Sequence, residues 1–143
     1  MMKGIDNNTT YLINSKLDRI RTQVKNINQG GCGLFAYHMY LALKDKGIKS
    51  KILLLGTKQL PIHLILKLDE FNYLDSRGIS SDKDLLIKEF GGGWLSEITN
   101  NELEMMLTNI EWNKGFDYWF TDSNFESKSN KDFLVECIKR EFY

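Results

Sequence analysis

The chain has 143 residues, 42% of them apolar and 27% charged, and its 19 basic and 19 acidic side chains cancel to a formal net charge of zero. That length suits a single domain over residues 1–143 with a real buried core. The balanced charge leaves no surplus for holding nucleic acid or an anionic membrane by bulk electrostatics, so neither is expected as a partner. Lys44, Lys46, Lys49 and Lys51 form a local basic cluster, but Asp45 and apolar or small residues interrupt it, and it reads as a solvated face. The polar stretch from Met1 to Thr10 lacks the apolar segment of a secretory signal, and no apolar run is long enough to span a bilayer. A cytoplasmic protein with reduced thiols is expected, since its two distant cysteines make no disulfide framework. The scattered histidines and cysteines have no metal spacing, so neither metal nor cofactor is expected.

In chain order, Ile13, Leu17, Ile20, Val24 and Ile27 recur at helical spacing and predict an amphipathic helix from about Thr9 to Ile27. The stretch Asn28 to Gly31 breaks it. A second helix is predicted from Cys32 or Gly33 to about Lys46, capped by Gly47. It is apolar almost all round, which marks a central helix covered by other elements. Three strand-like runs follow, Lys49 to Leu55, Ile62 to Leu68 and Phe71 to Asp75, bounded by Gly56, Pro61 and the turn at Asp69-Glu70. Beyond Ser76-Arg77-Gly78 the pattern turns helical. A short helix is predicted from Ser81 to Phe90, stopped by Gly91-Gly92-Gly93. Thr99 with Glu102 makes a capping box for a helix to about Ile110. A terminal helix begins at Ser129 or Asn130, with Phe133, Leu134, Cys137 and Ile138 facing inward. Trp112, Tyr118, Trp119 and Phe120 are expected to pack the C-terminal part on the sheet. The fold class is therefore α+β: a helix, a central helix carrying a Cys packed on an antiparallel sheet, and a helical C-terminal part.

Cys32 stands where a Gly-Gly turn meets a helix. Exposed backbone N–H groups and the helix dipole there favour a thiolate, and Gly31 and Gly33 allow a substrate backbone to come close. The same N–H groups are placed to receive the oxyanion of a tetrahedral intermediate, with the side-chain amide of Gln29, or of Asn26 or Asn28, as a second donor. A thiol nucleophile needs a base, and the base an orienting partner. His63 and Asp75 supply them if their strands pair so that the two residues stand opposite each other, with Ile65 opposite Tyr73, Lys67 opposite Phe71, and the connection Leu68-Asp69-Glu70. Trp94, following three glycines, either lines a substrate groove or packs on the surface.

These residues also carry a family resemblance. From Gly30 to Gly78 the chain resembles the core of the transglutaminase-like superfamily, within the wider papain-like fold. The resemblance rests on Gly-Gly-Cys-Gly-Leu-Phe-Ala at 30–36, Ala-Leu-Lys-Asp-Lys-Gly-Ile at 42–48, a strand beginning Pro-Ile-His, and one ending Tyr-Leu-Asp-Ser-Arg-Gly. It implies a papain-like core in which Cys32 attacks an acyl carbon, His63 is its base and Asp75 orients His63. Members hydrolyse amide bonds or transfer the acyl group to another amine. Two departures leave the acyl pocket, and so the substrate class, open: Leu64-Ile65-Leu66 follows the His where an aromatic residue is usual, and Ser76 follows the Asp where Pro is usual. The arylamine N-acetyltransferases, with a Gly-Gly-x-Cys turn and a Cys-His-Asp triad, are similar more distantly.

Each residue also has a blander reading: Cys32 as an apolar filler, His63 as a strand-end histidine, Asp75 as a turn cap. Their joint order and spacing favour the triad. His38, six residues after Cys32 and about 240° round the helix, points away from the thiol. Cys137 reads as core. The expected function is thus a cysteine-dependent hydrolase or acyltransferase acting on an amide or thioester of a protein or peptide. The alternative is a non-catalytic module that keeps the fold and binds a protein partner as an inhibitor or host-interaction factor, for instance from a phage or mobile element.

Overall fold

The computed structural model describes residues 5–24, 27, 32–57, 61–108 and 128–143. Among them the chain is α+β, with five α-helices and one five-stranded antiparallel sheet. No helix among the described residues is long and apolar enough to cross a membrane.

Helix α1 spans Asn7–Gln23 and is started by Asp6, whose carboxylate accepts from the Thr9 amide at 2.7 Å. Ile13, Leu17 and Ile20 form its buried stripe. The helix stops short of the expected Ile27 because Val24 is already extended (φ −123°, ψ 113°), although Val24 and Ile27 still bury their side chains. Apolar spacing therefore recorded burial beyond the point where the backbone leaves the helix. Helix α2, Cys32–Asp45, is the central element: Phe35, Ala36, Met39, Ala42 and Leu43 are all buried. It ends as its sequence implies, with Gly47 at φ +80° and the Ile48 amide returning to the Leu43 carbonyl at 2.8 Å.

The sheet runs β4-β3-β2-β1-β5, with β1 Lys51–Gly56, β2 Pro61–Lys67, β3 Tyr73–Asp75, β4 Gly78–Ser80 and β5 Leu95–Ile98. Strands β4 and β5 were not foreseen; at 3 and 4 residues they are too short for an alternation pattern to register. Between β4 and β5 lie α3, Lys83–Ile87, and a 3-10 turn, Lys88–Phe90, closed by Gly91 at φ +89°. Helix α4, Asn100–Thr108, opens on the expected capping box: the Glu102 amide donates to Thr99 Oγ1 at 3.1 Å and the Thr99 amide to Glu102 Oε1 at 3.0 Å. Helix α5, Lys128–Phe142, buries Leu134, Cys137 and Ile138, but Phe133 is 37% exposed rather than inward. Trp112, Tyr118, Trp119 and Phe120 lie outside the described residues.

Side chains alternate across the sheet, and this divides its two faces. Ile52, Leu54, Leu64, Leu66, Leu74 and Ile98 join the main core with α1, α2, α4 and α5. Leu55, His63, Ile65 and Asp75 turn to the other face, where Phe90 of the 3-10 turn stacks on His63.

Candidate functional site

The β2–β3 pairing sets the geometry here, and it differs from the expected register. Leu66 stands opposite Leu74 and Lys67 opposite Tyr73, which carries Ile65, not His63, to the level of Asp75. Asp69 is the cause. Its Oδ1 accepts from the amides of Phe71 and Asn72, both at 2.8 Å, and from Asn72 Nδ2 at 2.9 Å; the Leu68 amide donates to the Asn72 carbonyl at 2.8 Å. The turn is therefore made by residues 69–71 instead of 68–70, fixed by a carboxylate oxygen that accepts from three donors within the turn. A slip of two residues keeps side-chain parity, so His63 and Asp75 remain on one face as diagonal neighbours.

That diagonal suffices. His63 Nε2 lies 2.9 Å from Asp75 Oδ2, and both side chains are buried. The carboxyl group is held below its ordinary value: burial works to raise it, and the hydrogen bonds and charges of His63 and Arg77 together outweigh that. An ionised carboxylate only accepts, so Nε2 carries the proton and, in the neutral ring, Nδ1 keeps its lone pair. Nδ1 makes no hydrogen bond among the described residues, although it is buried. Over the ring lies Phe90, stacked at a centroid distance of 4.4 Å and 22°.

Cys32 begins α2 on the main-core face of the sheet. The backbone N–H groups of Leu64, Gly33 and Cys32 itself favour the thiolate, but burial dominates and pushes the thiol up to about 12, with the Asp75 charge adding to the rise. This corrects the expectation of a standing thiolate: the helix start lowers a thiol pKa where water or a cation shares the work, and at 2% exposure neither does. No hydrogen bond joins Sγ to either nitrogen of His63.

No family model matches the chain, and no curated protein or solved structure matches it.

Of the other expected site residues, Gly33 is buried in the first turn of α2, whereas Gln29 and Gly31 lie outside the described residues, as do Asn26 and Asn28. Trp94, expected to line a groove or to pack, stands out into solvent at 93% exposure. His38 lies on α2 away from the site, its imidazole held below the ordinary value by burial and by Lys139 of α5. Two residues went unread in the sequence. Arg77 donates to Asp75 from its backbone and its guanidinium, and its signal was the spacing Asp-x-Arg before a glycine. Phe90 covers His63, and its signal was an aromatic residue placed directly before three glycines.

Proposed function

We propose that this protein is a cysteine-dependent hydrolase or acyltransferase of the papain-like, transglutaminase-like kind, working through an acyl-Cys32 intermediate on an amide or thioester of a peptide or protein. One observation carries the reading: a buried imidazole wired through Nε2 to an ionised carboxylate, with Nδ1 left unsatisfied among the described residues. A pair kept for stability alone would satisfy both nitrogens, because an unpartnered buried polar atom costs about 1–3 kcal/mol. A general base needs that lone pair open. In the reaction, the Cys32 Sγ–H proton passes to Nδ1 as sulfur bonds to the acyl carbon. The leaving amine or thiol departs with that proton, and water or an acceptor amine then breaks the thioester and restores Cys32. Since burial keeps the thiol neutral at rest, the nucleophile forms by proton transfer as substrate arrives. Nδ1 and Sγ must then come within hydrogen-bond reach around β2, since Cys32 packs on the main-core face of the sheet and His63 turns to the other.

A second reading has its own support. Cys32, His63 and Asp75 are 2%, 0% and 1% exposed, as befits a module that keeps the triad residues inside and binds a partner with its surface. Incubation with activated thioesters and peptide esters, followed by mass spectrometry, separates the two. A mass increment on Cys32 that is lost in His63→Ala supports the enzyme. Absence of any adduct, together with full biological activity of Cys32→Ala, supports the binding module.

A further inference from the structure

We propose that Arg77 is a positioning residue of this site, whose guanidinium clamps the Asp75 carboxylate so that His63 keeps its proton on Nε2 and its lone pair on Nδ1. The inference rests on the reading of His63 as the base for Cys32.

The clamp is made of four contacts to one carboxylate. The Arg77 amide donates to Asp75 Oδ1 at 2.8 Å, Nε lies 3.3 Å from Oδ1 and 3.1 Å from Oδ2, and Nη2 donates to Oδ2 at 2.6 Å. Oδ2 thus receives Arg77 and His63 together. The same Nη2 reaches the Leu86 carbonyl of α3 at 2.5 Å, so the guanidinium is held from both ends. Its base is held as well: Arg21 Nη1 donates to the Ser76 carbonyl at 2.6 Å, and the Ile79 amide donates to Asn14 Oδ1 at 2.8 Å, pinning the turn from α1.

The chemistry explains what such a clamp does. A carboxyl at 1% exposure is pressed toward its neutral form by desolvation. Once protonated it becomes a donor, and its O–H would point at Nε2, making that nitrogen the acceptor. The ring's own proton would then sit on Nδ1, and the lone pair needed to take the thiol proton would be gone. A fixed cation against Oδ1 and Oδ2 prevents this, and the guanidinium fork does so without displacing the imidazole. The charged and titratable groups facing Asp75 are His63 from β2, Arg77 from its own turn, the Cys32 thiol from α2, and Arg21 of α1 through the Ser76 carbonyl.

The test reads the His63 imidazole nitrogens by 15N NMR at one fixed pH in the full chain, with His38→Gln assigning the two rings. The native protein is expected to show the proton on Nε2 and a bare Nδ1. In Arg77→Met a measurable share of His63 rings should carry the proton on Nδ1 instead. Arg77→Lys should restore part of the native pattern, having charge without the fork. If Arg77 merely braces α3 through Leu86, the Met variant melts earlier but keeps the native tautomer, and the proposal is overturned. Should Arg77→Met fail to fold, the Lys variant decides alone: a partial move of the proton to Nδ1 supports the clamp and none overturns it. Acylation of Cys32 is scored separately. A tautomer that depends on Arg77 in a protein that never acylates sinks the enzyme reading and keeps the clamp; acylation with a tautomer indifferent to Arg77 does the reverse.

Discussion

Cys32 should titrate abnormally late, and the consequence can be measured as stability. The residue is 2% exposed, and burial is the largest influence, pushing the pKa from an ordinary 9.0 up to about 12. In the unfolded chain the thiol loses its proton at its ordinary value. Between 9.0 and about 12, therefore, the unfolded state has shed a proton that the folded state retains. The contribution is fully present below 9.0 and is lost as pH rises through that window. At about 1.4 kcal/mol per pH unit, the three pH units from 9.0 to 12 correspond to roughly 4 kcal/mol. Urea unfolding at a series of pH values from about 8 to 11, in a Cys137→Ala background, gives the assay. Stability should fall with pH more steeply than in the same protein carrying Cys32→Ala, by up to about 1.4 kcal/mol per pH unit. Identical slopes, or a thiolate absorbance that appears at or below 9.0, would refute the argument that burial governs this thiol. The same value leaves roughly one thiolate in 10⁵ at pH 7, which is why the proposed chemistry draws its nucleophile from proton transfer to His63.

Three further outcomes are expected. Asp75→Ala removes a buried acceptor shared by His63 and Arg77, so unfolding free energy should drop by about 3–5 kcal/mol, read by urea titration; a loss below about 1 kcal/mol would show the pair to be incidental. Phe90→Ala removes the ring stacked on His63, a contact worth about 0.5–1.5 kcal/mol, so diethyl pyrocarbonate should modify His63 up to about tenfold faster, with His38 as internal control; an unchanged rate would show that Phe90 is not the cover. Gly78 has φ +122°, and an added Cβ would lie 2.9 Å from Asn14 Oδ1. Gly78→Ala should accordingly lose about 1–3 kcal/mol in thermal unfolding, whereas a neutral effect would mean the turn relaxes freely.

How far the sequence could be read depended on the range of the interaction concerned. Helix α2 was legible because its apolar residues, its start at Cys32 and its Gly47 stop all lie within one segment. The Thr99–Glu102 box was legible for the same reason, being closed by residues three apart. Period-2 alternation likewise put His63 and Asp75 on one face, and a register error of two could not disturb that parity.

What apolar pattern could not supply was everything decided by polar turn contacts or by non-local partners. Asp69 set the turn by local contacts that apolar alternation does not register, its carboxylate taking the Phe71 and Asn72 amides two and three residues on, and the register of β3 followed from that choice. Strand β5 exists only because β1 offers an edge, pairing Ile52 with Ile98 and Leu55 with Leu95. The environment of Cys32 is the sharpest case. The glycine-flanked helix start argues for a low pKa, yet the sheet and helices that close over the sulfur raise it to about 12. Residue types and their spacing thus specified which groups could do chemistry and on which elements they ride. Desolvation, the Arg77 contact to Asp75 and the Phe90 stack, each made by residues distant in sequence or invisible to periodicity, decided which of those groups is charged, what holds the carboxylate, and what covers the imidazole.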